Sequence, residues 1–99
     1  MTDWKALRLT IANDRGGWCE KCNCVPWEEL HHCLVHKMKD RPELDSIYNL
    51  MAVCKDCHPY CNSFETRQKF WKSQCQVYGE DVMREWYDGL NLKVKESFE

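Results

Sequence analysis

Residues 18–62 read WCEKCNCVPWEELHHCLVHKMKDRPELDSIYNLMAVCKDCHPYCN, and two cysteine pairs inside this stretch decide the fold. Cys19-x2-Cys22 and Cys54-x2-Cys57 each place two thiolates on one tight turn. Two such turns brought together give the tetrahedral four-sulfur set of a closed structural Zn2+ site. Outward from the pairs, the chain is 99 residues long. That length suits one domain with a core that is marginal unless something staples it. A zinc ion closing the loop between the pairs supplies folding energy that such a core lacks. Cys24 and Cys61 each stand beside a knuckle, and either could replace a neighbour as ligand. Cys33 and Cys75 read as small packing residues, Cys75 on the apolar face of a helix. Two competing patterns are present. Cys54-x2-Cys57-His58 is also a haem-attachment pattern, and Cys19, Cys22, His32 and His36 resemble a Cys2His2 finger with a short middle spacing. The first leaves the upstream pair unexplained, and the second strands Cys54 and Cys57.

The composition is that of a globular chain, 43% apolar and 30% charged, rather than a disordered one. Its longest apolar run, Leu50 to Cys54, is far short of the ~20 residues a membrane span needs. The opening MTDWKALRLT scatters charges where a secretory signal would have an apolar segment. The eight cysteines are therefore expected as thiols or metal ligands rather than disulfides, and the location as cytoplasmic, whether cell- or virus-encoded. Net charge is −2 and nearly balanced along the chain. A freestanding tight DNA binder usually carries a strong basic excess. Any nucleic-acid role here must rest on a local basic face, a metal ion, or a protein partner that supplies affinity.

The periodicities predict an α+β architecture. Trp4, Leu7 and Ile11 share one face of a short helix over 3–13, capped by Thr2 or Asp3. Residues 28–35 (EELHHCLV) read as a short strand, and 36–48, which contain Pro42, as a loop. A helix begins near Phe64 with Phe64, Trp71, Cys75 and Tyr78 inward. Gly79 suits its C-cap, and Asp81 starts a second helix with Val82, Met83, Trp86, Tyr87 and Leu90 inward. No repeat or linker divides residues 1–99, so a single domain is expected, with a motif core at about 18–62 and a helical C-terminal part at about 63–99.

A plain zinc ribbon spaces its knuckles by ~15–20 residues, whereas here residues 23–53 intervene. That stretch holds the doublet His31-His32 and, just before the second knuckle, Asn49. His58 follows the last knuckle cysteine. Closing the two knuckles draws these histidines toward one another. Neighbours on a strand point to opposite faces, so His31 and His32 should have different jobs.

The order CxxC, LHHC, YNLMAVC-x2-CH resembles the HNH endonucleases of the zinc-stapled ββα-metal (His-Me finger) type, over about Trp18 to Asn62. By position, the resemblance implies that His32 is the general base that activates water. It implies that His31 and His58 hold a catalytic divalent ion and that Asn49 holds the loop in shape. Cys19, Cys22, Cys54 and Cys57 match the structural zinc set. The implied product ends are 5′-phosphate and 3′-hydroxyl. The near-neutral charge departs from the pattern.

The chemistry of the residues fits those roles. A neutral imidazole can accept water's proton near neutral pH. A divalent ion on two imidazoles, with water and phosphate oxygens filling the rest, stabilises charge on the phosphate and the leaving oxygen. Mg2+, Mn2+, Ni2+, Co2+ and Zn2+ are all candidates. His36-Lys37-Met38-Lys39-Asp40-Arg41 and the helical stripe Arg67, Lys69, Lys72 are candidate grips on a phosphate backbone. Trp71 and Trp86 fit the core better than base stacking. The expected activity is metal-dependent phosphodiester hydrolysis on DNA, with RNA as the alternative substrate. The alternative is a non-catalytic zinc-binding module that docks onto nucleic acid or a protein partner.

Overall fold

The computed structural model describes residues 2–92 and residue 98. The parts of the expected C-terminal helical stretch at 93–97 and 99 lie outside the described residues. The first helix, α1 (Trp4–Arg15), starts where Asp3 accepts the Ala6 N–H at 3.0 Å, satisfying an amide that every helix start leaves open. It runs past the expected end at residue 13 and stops at Gly16, whose φ of 92° suits a residue without a Cβ.

Strands β1 (Glu29–His32) and β2 (Leu50–Val53) pair antiparallel, with His31 opposite Met51 and His32 opposite Leu50. Alternation sorts this hairpin into two faces. Leu30, Leu50 and Ala52 pack with Ile11, Leu7, Trp27 and Ile47 on the α1 side. Met51 and Val53 join a larger core that includes Cys19, Cys54, Phe70, Trp71, Met83 and Tyr87. All four residues of β2 are buried, which is why LMAV carries no polar alternation. The expected strand 28–35 stops early, at His32. Beyond it the amides of Leu34 and Val35 both donate to Asn49 Oδ1, at 3.0 and 2.8 Å, so neither is available to a ladder. The 36–48 loop contains one 3-10 turn at Pro42–Leu44, and a second such turn spans His58–Tyr60.

The second helix, α2 (Phe64–Tyr78), is capped by Ser63, which accepts the Thr66 N–H at 3.1 Å. Gly79, at φ 97°, joins it to α3 (Glu80–Gly89), which begins one residue before Asp81. The inward face of α2 corrects the sequence expectation. Thr66, Phe70, Trp71 and Gln74 are buried, Cys75 and Tyr78 are half-buried, and Phe64 is exposed. On α3, Met83 and Tyr87 are buried as expected, as is Leu90 just past its end; Trp86 is half-buried, and Val82 is exposed.

The shift on α2 has a polar cause. Arg15, at the end of α1, has its side chain only 3% exposed. Its guanidinium donates to Ile47 O at 2.8 Å, to Gln74 Oε1 at 3.0 Å, to Glu20 Oε1 at 3.0 Å and to Leu50 O. Gln74 in turn donates to the carbonyls of Ile47 and Tyr48, and Glu20 accepts the Ala52 N–H at 2.7 Å. A buried cation demands such pairing, and here both terminal nitrogens are engaged while Nε has no partner. The network therefore turns the Gln74 side of α2 inward and ties α1, the first knuckle, β2 and α2 together.

Candidate functional site

The first knuckle is a turn in which the Asn23 N–H returns to Cys19 O at 2.9 Å and the Cys19 N–H donates to Val25 O at 2.8 Å. Asn23 takes a φ of 56°, a left-handed conformation that asparagine tolerates. In the second, the N–H groups of Cys57 and His58 both close on Cys54 O, at 3.2 and 3.1 Å. The hairpin brings the two turns together, and the sulfurs of Cys19, Cys22, Cys54 and Cys57 lie within 4.8 Å of one another. A tetrahedral zinc with Zn–S of ~2.3 Å needs sulfurs ~3.8 Å apart, so the cluster could hold zinc with little movement. Burial pushes the Cys19 thiol up, but N–H donors from Cys22, Cys54 and Lys21 outweigh it and bring the thiol down to about 6. Burial and the neighbouring thiols push Cys57 the other way. Four thiols this close favour ionisation together only around a cation.

The remaining cysteines stand apart from this set. Cys24 is exposed and its thiol donates to Cys22 O at 3.1 Å; the buried Cys61 thiol donates to Cys57 O at 3.2 Å. Cys33 is buried, and burial beside Cys61 pushes its thiol up to about 12. Among the described residues, the four knuckle cysteines are the one group of three or more Cys, His, Asp or Glu whose ligand atoms gather this closely.

The doublet divides as strand alternation requires. His31 faces the second knuckle, with its ring 5.0 Å from that of His58 and nearly edge-on. It is 8% exposed, and its buried Nε2 has no hydrogen-bond partner. Burial, with the neighbouring His58, lowers its pKa to about 4. His58 Nδ1 lies 2.9 Å from Glu29 Oε1. Glu29 precedes His31 by two residues and so shares its face, a period-2 signal present in the sequence. That contact holds the His58 proton on Nδ1 and leaves Nε2 available as a ligand atom.

His32 lies on the opposite face, toward α1. Its Nε2 is 2.7 Å from Asp45 Oδ1, and its ring meets Trp4 edge-on at 6.1 Å. The structure therefore brings His31 and His58 together and sets His32 apart from them. Asn49 is fully buried. Besides accepting from Leu34 and Val35, it donates to Val35 O and Leu44 O at 2.8 and 2.9 Å, and so pins both ends of the loop that carries Asp45. Asp45 left no signal in the sequence, because only this folding of the loop brings it to His32.

The basic segments are partly engaged elsewhere. Arg41 donates to Leu90 O at 2.6 Å and pairs with Glu43. Arg67 donates to the carbonyls of Cys33 and Leu34, at 3.2 and 2.9 Å. Lys37, Lys39 and Lys72 are exposed, and Lys69 pairs with Glu65 on the helix surface. No helix among the described residues is long and apolar enough to cross a membrane. No protein-family model, curated protein or solved structure matches the chain.

Proposed function

We propose that the protein is a metal-dependent HNH-type endonuclease, a ββα-metal domain stapled by zinc at Cys19, Cys22, Cys54 and Cys57. The observation that carries this reading is the buried Nε2 of His31, without a hydrogen-bond partner, on a ring 5.0 Å from that of His58. Burying a polar nitrogen with nothing to bond costs about 1–3 kcal/mol. A neutral imidazole beside a second imidazole with its own Nε2 available is the donor set of an open divalent site.

In this reading His31 and His58 hold the ion through Nε2, and Glu29 keeps His58 in the ligating tautomer. Burial keeps His31 unprotonated, as ligation requires. When bound, a divalent ion neutralises charge on a phosphate oxygen and on the departing 3′-oxygen. His32, on the other face at the end of β1, takes the proton from the attacking water, which requires the substrate to lie across that end of the hairpin and reach both faces. Asn49 sets the loop that frames the site. The exposed Lys37, Lys39 and Lys72 meet the phosphate backbone of DNA, the expected substrate, and a protein partner would add the affinity that a net charge of −2 withholds.

The test is nicking of supercoiled plasmid DNA by wild type and His32→Ala, each with Mg2+, Mn2+, Ni2+, Co2+ or Zn2+ and with none. Metal-dependent nicking that His32→Ala loses supports the nuclease. Folded, zinc-loaded wild type that never cuts DNA or RNA sinks it and leaves the non-catalytic zinc-binding module.

A further inference from the structure

We propose that Asp45 is the positioning residue for His32: it holds the imidazole with its proton on Nε2 and leaves Nδ1 bare to receive a proton from water. This deepens the nuclease reading and rests on it. His32 Nε2 lies 2.7 Å from Asp45 Oδ1, and the second carboxylate oxygen, Oδ2, accepts the Thr2 hydroxyl at 2.5 Å. Both oxygens of Asp45 are thus occupied. An ionised carboxylate only accepts hydrogen bonds. Nε2 must then be the donor, and in a neutral ring the other nitrogen, Nδ1, is the acceptor. The two side chains are 14% and 11% exposed, so water competes weakly for the contact.

The carboxylate is itself held from behind. The Asp45 N–H closes on Pro42 O at 3.0 Å, and the preceding carbonyl, Leu44 O, accepts from Asn49 Nδ2 at 2.9 Å. A chain of fixed groups therefore runs from Asn49 through the Pro42–Leu44 turn to Asp45 and on to His32. Trp4 walls the ring on the α1 side. A groove of about 370 Å³ between α1 and this turn, lined by Thr2, Leu7, Pro42 and Asp45, opens at the same corner.

The experiment combines ring 15N NMR of zinc-loaded protein with plasmid nicking at saturating divalent metal. In wild type, His32 should show Nε2–H and a bare Nδ1. Asp45→Asn can turn its amide NH2 to the ring and impose the opposite tautomer. The His32 signature should then shift toward Nδ1–H, and kcat should fall roughly 10–100-fold with KM little changed. A wild type with Nδ1–H overturns the proposal, even where Asp45→Asn does not fold. So does Asp45→Asn with wild-type kcat. These outcomes differ from failure of the nuclease reading, in which wild type cuts nothing; a bare Nδ1 would then serve no reaction, and the proposal falls with that reading.

Discussion

His31 carries its ring where a charge is costly. The unfolded chain accepts a proton on this residue near pH 6.5, whereas the folded chain resists it down to about 4. Between those values the unfolded state binds more protons, so lowering the pH through this window removes stability. His31→Gln lacks this dependence. The unfolding free energy of wild type relative to His31→Gln should therefore fall by about 3 kcal/mol at most between pH 7 and 4, measured without added divalent ion. The cysteine site is common to both proteins and cancels. A difference that stays flat with pH would mean that the ring is not buried neutral. In the proposed nuclease, the two members of the doublet should separate by kinetics as well. His32→Ala should keep its divalent ion and lose roughly 10²–10⁴ in rate, whereas His31→Ala and His58→Ala should regain part of their loss as metal is raised. His32→Ala cutting like wild type, with His31→Ala inactive even at saturating metal, would exchange the two roles. The opposite orientation of the doublet was legible in the sequence, since alternation alone requires it. Glu29 was legible by the same rule and was missed. Asp45 was not legible, because nothing local ties it to His32.

At the scale of elements, the hairpin and the 33–49 loop depend on one side chain. Asn49 meets two amides and two carbonyls while fully buried. Asn49→Ala leaves those groups without partners and should cost roughly 2–4 kcal/mol in urea unfolding of the zinc-loaded protein. A loss below about 1 kcal/mol would mean that water replaces the side chain there. The helices show where sequence reading stops. The Asp3 cap, the start of α2 near Phe64 and the Gly79 joint follow from capping rules, and all three are present. The inward face of α2 does not follow from them. Apolar periodicity favours the row through Phe64 and Cys75, but the buried Arg15 requires Gln74 as a partner, and one polar demand rotates the helix. Nothing in the spacing of Arg15, Glu20 and Gln74 announces that they meet.

For the whole molecule, the proposed zinc staple decides whether the fold holds. The described core draws part of its content from the knuckles themselves, with Cys19 and Cys54 among its buried members. Purified protein should carry about one equivalent of zinc, and strong chelation should unfold it; Cys54→Ser should melt early or express poorly. A zinc-free protein with native far-UV circular dichroism and an unchanged melting temperature would refute the staple. Arg41 and Arg67 are turned onto backbone carbonyls, so the proposed phosphate grip rests on the exposed Lys37, Lys39 and Lys72. Changing all three to Ala should weaken DNA binding and flatten its salt slope by up to about 3. An unchanged slope would move the contact surface to another face.

The placement of Cys24 has a practical consequence. With four thiols gathered in the knuckle cluster that could hold zinc, two sealed in the core and Cys75 half-buried, Cys24 is the one exposed cysteine among the described residues. A maleimide fluorophore added to the zinc-loaded protein should therefore attach there first, without mutagenesis. Two residues from Cys22, the dye would sit beside the first knuckle and signal the departure of the ion in real time.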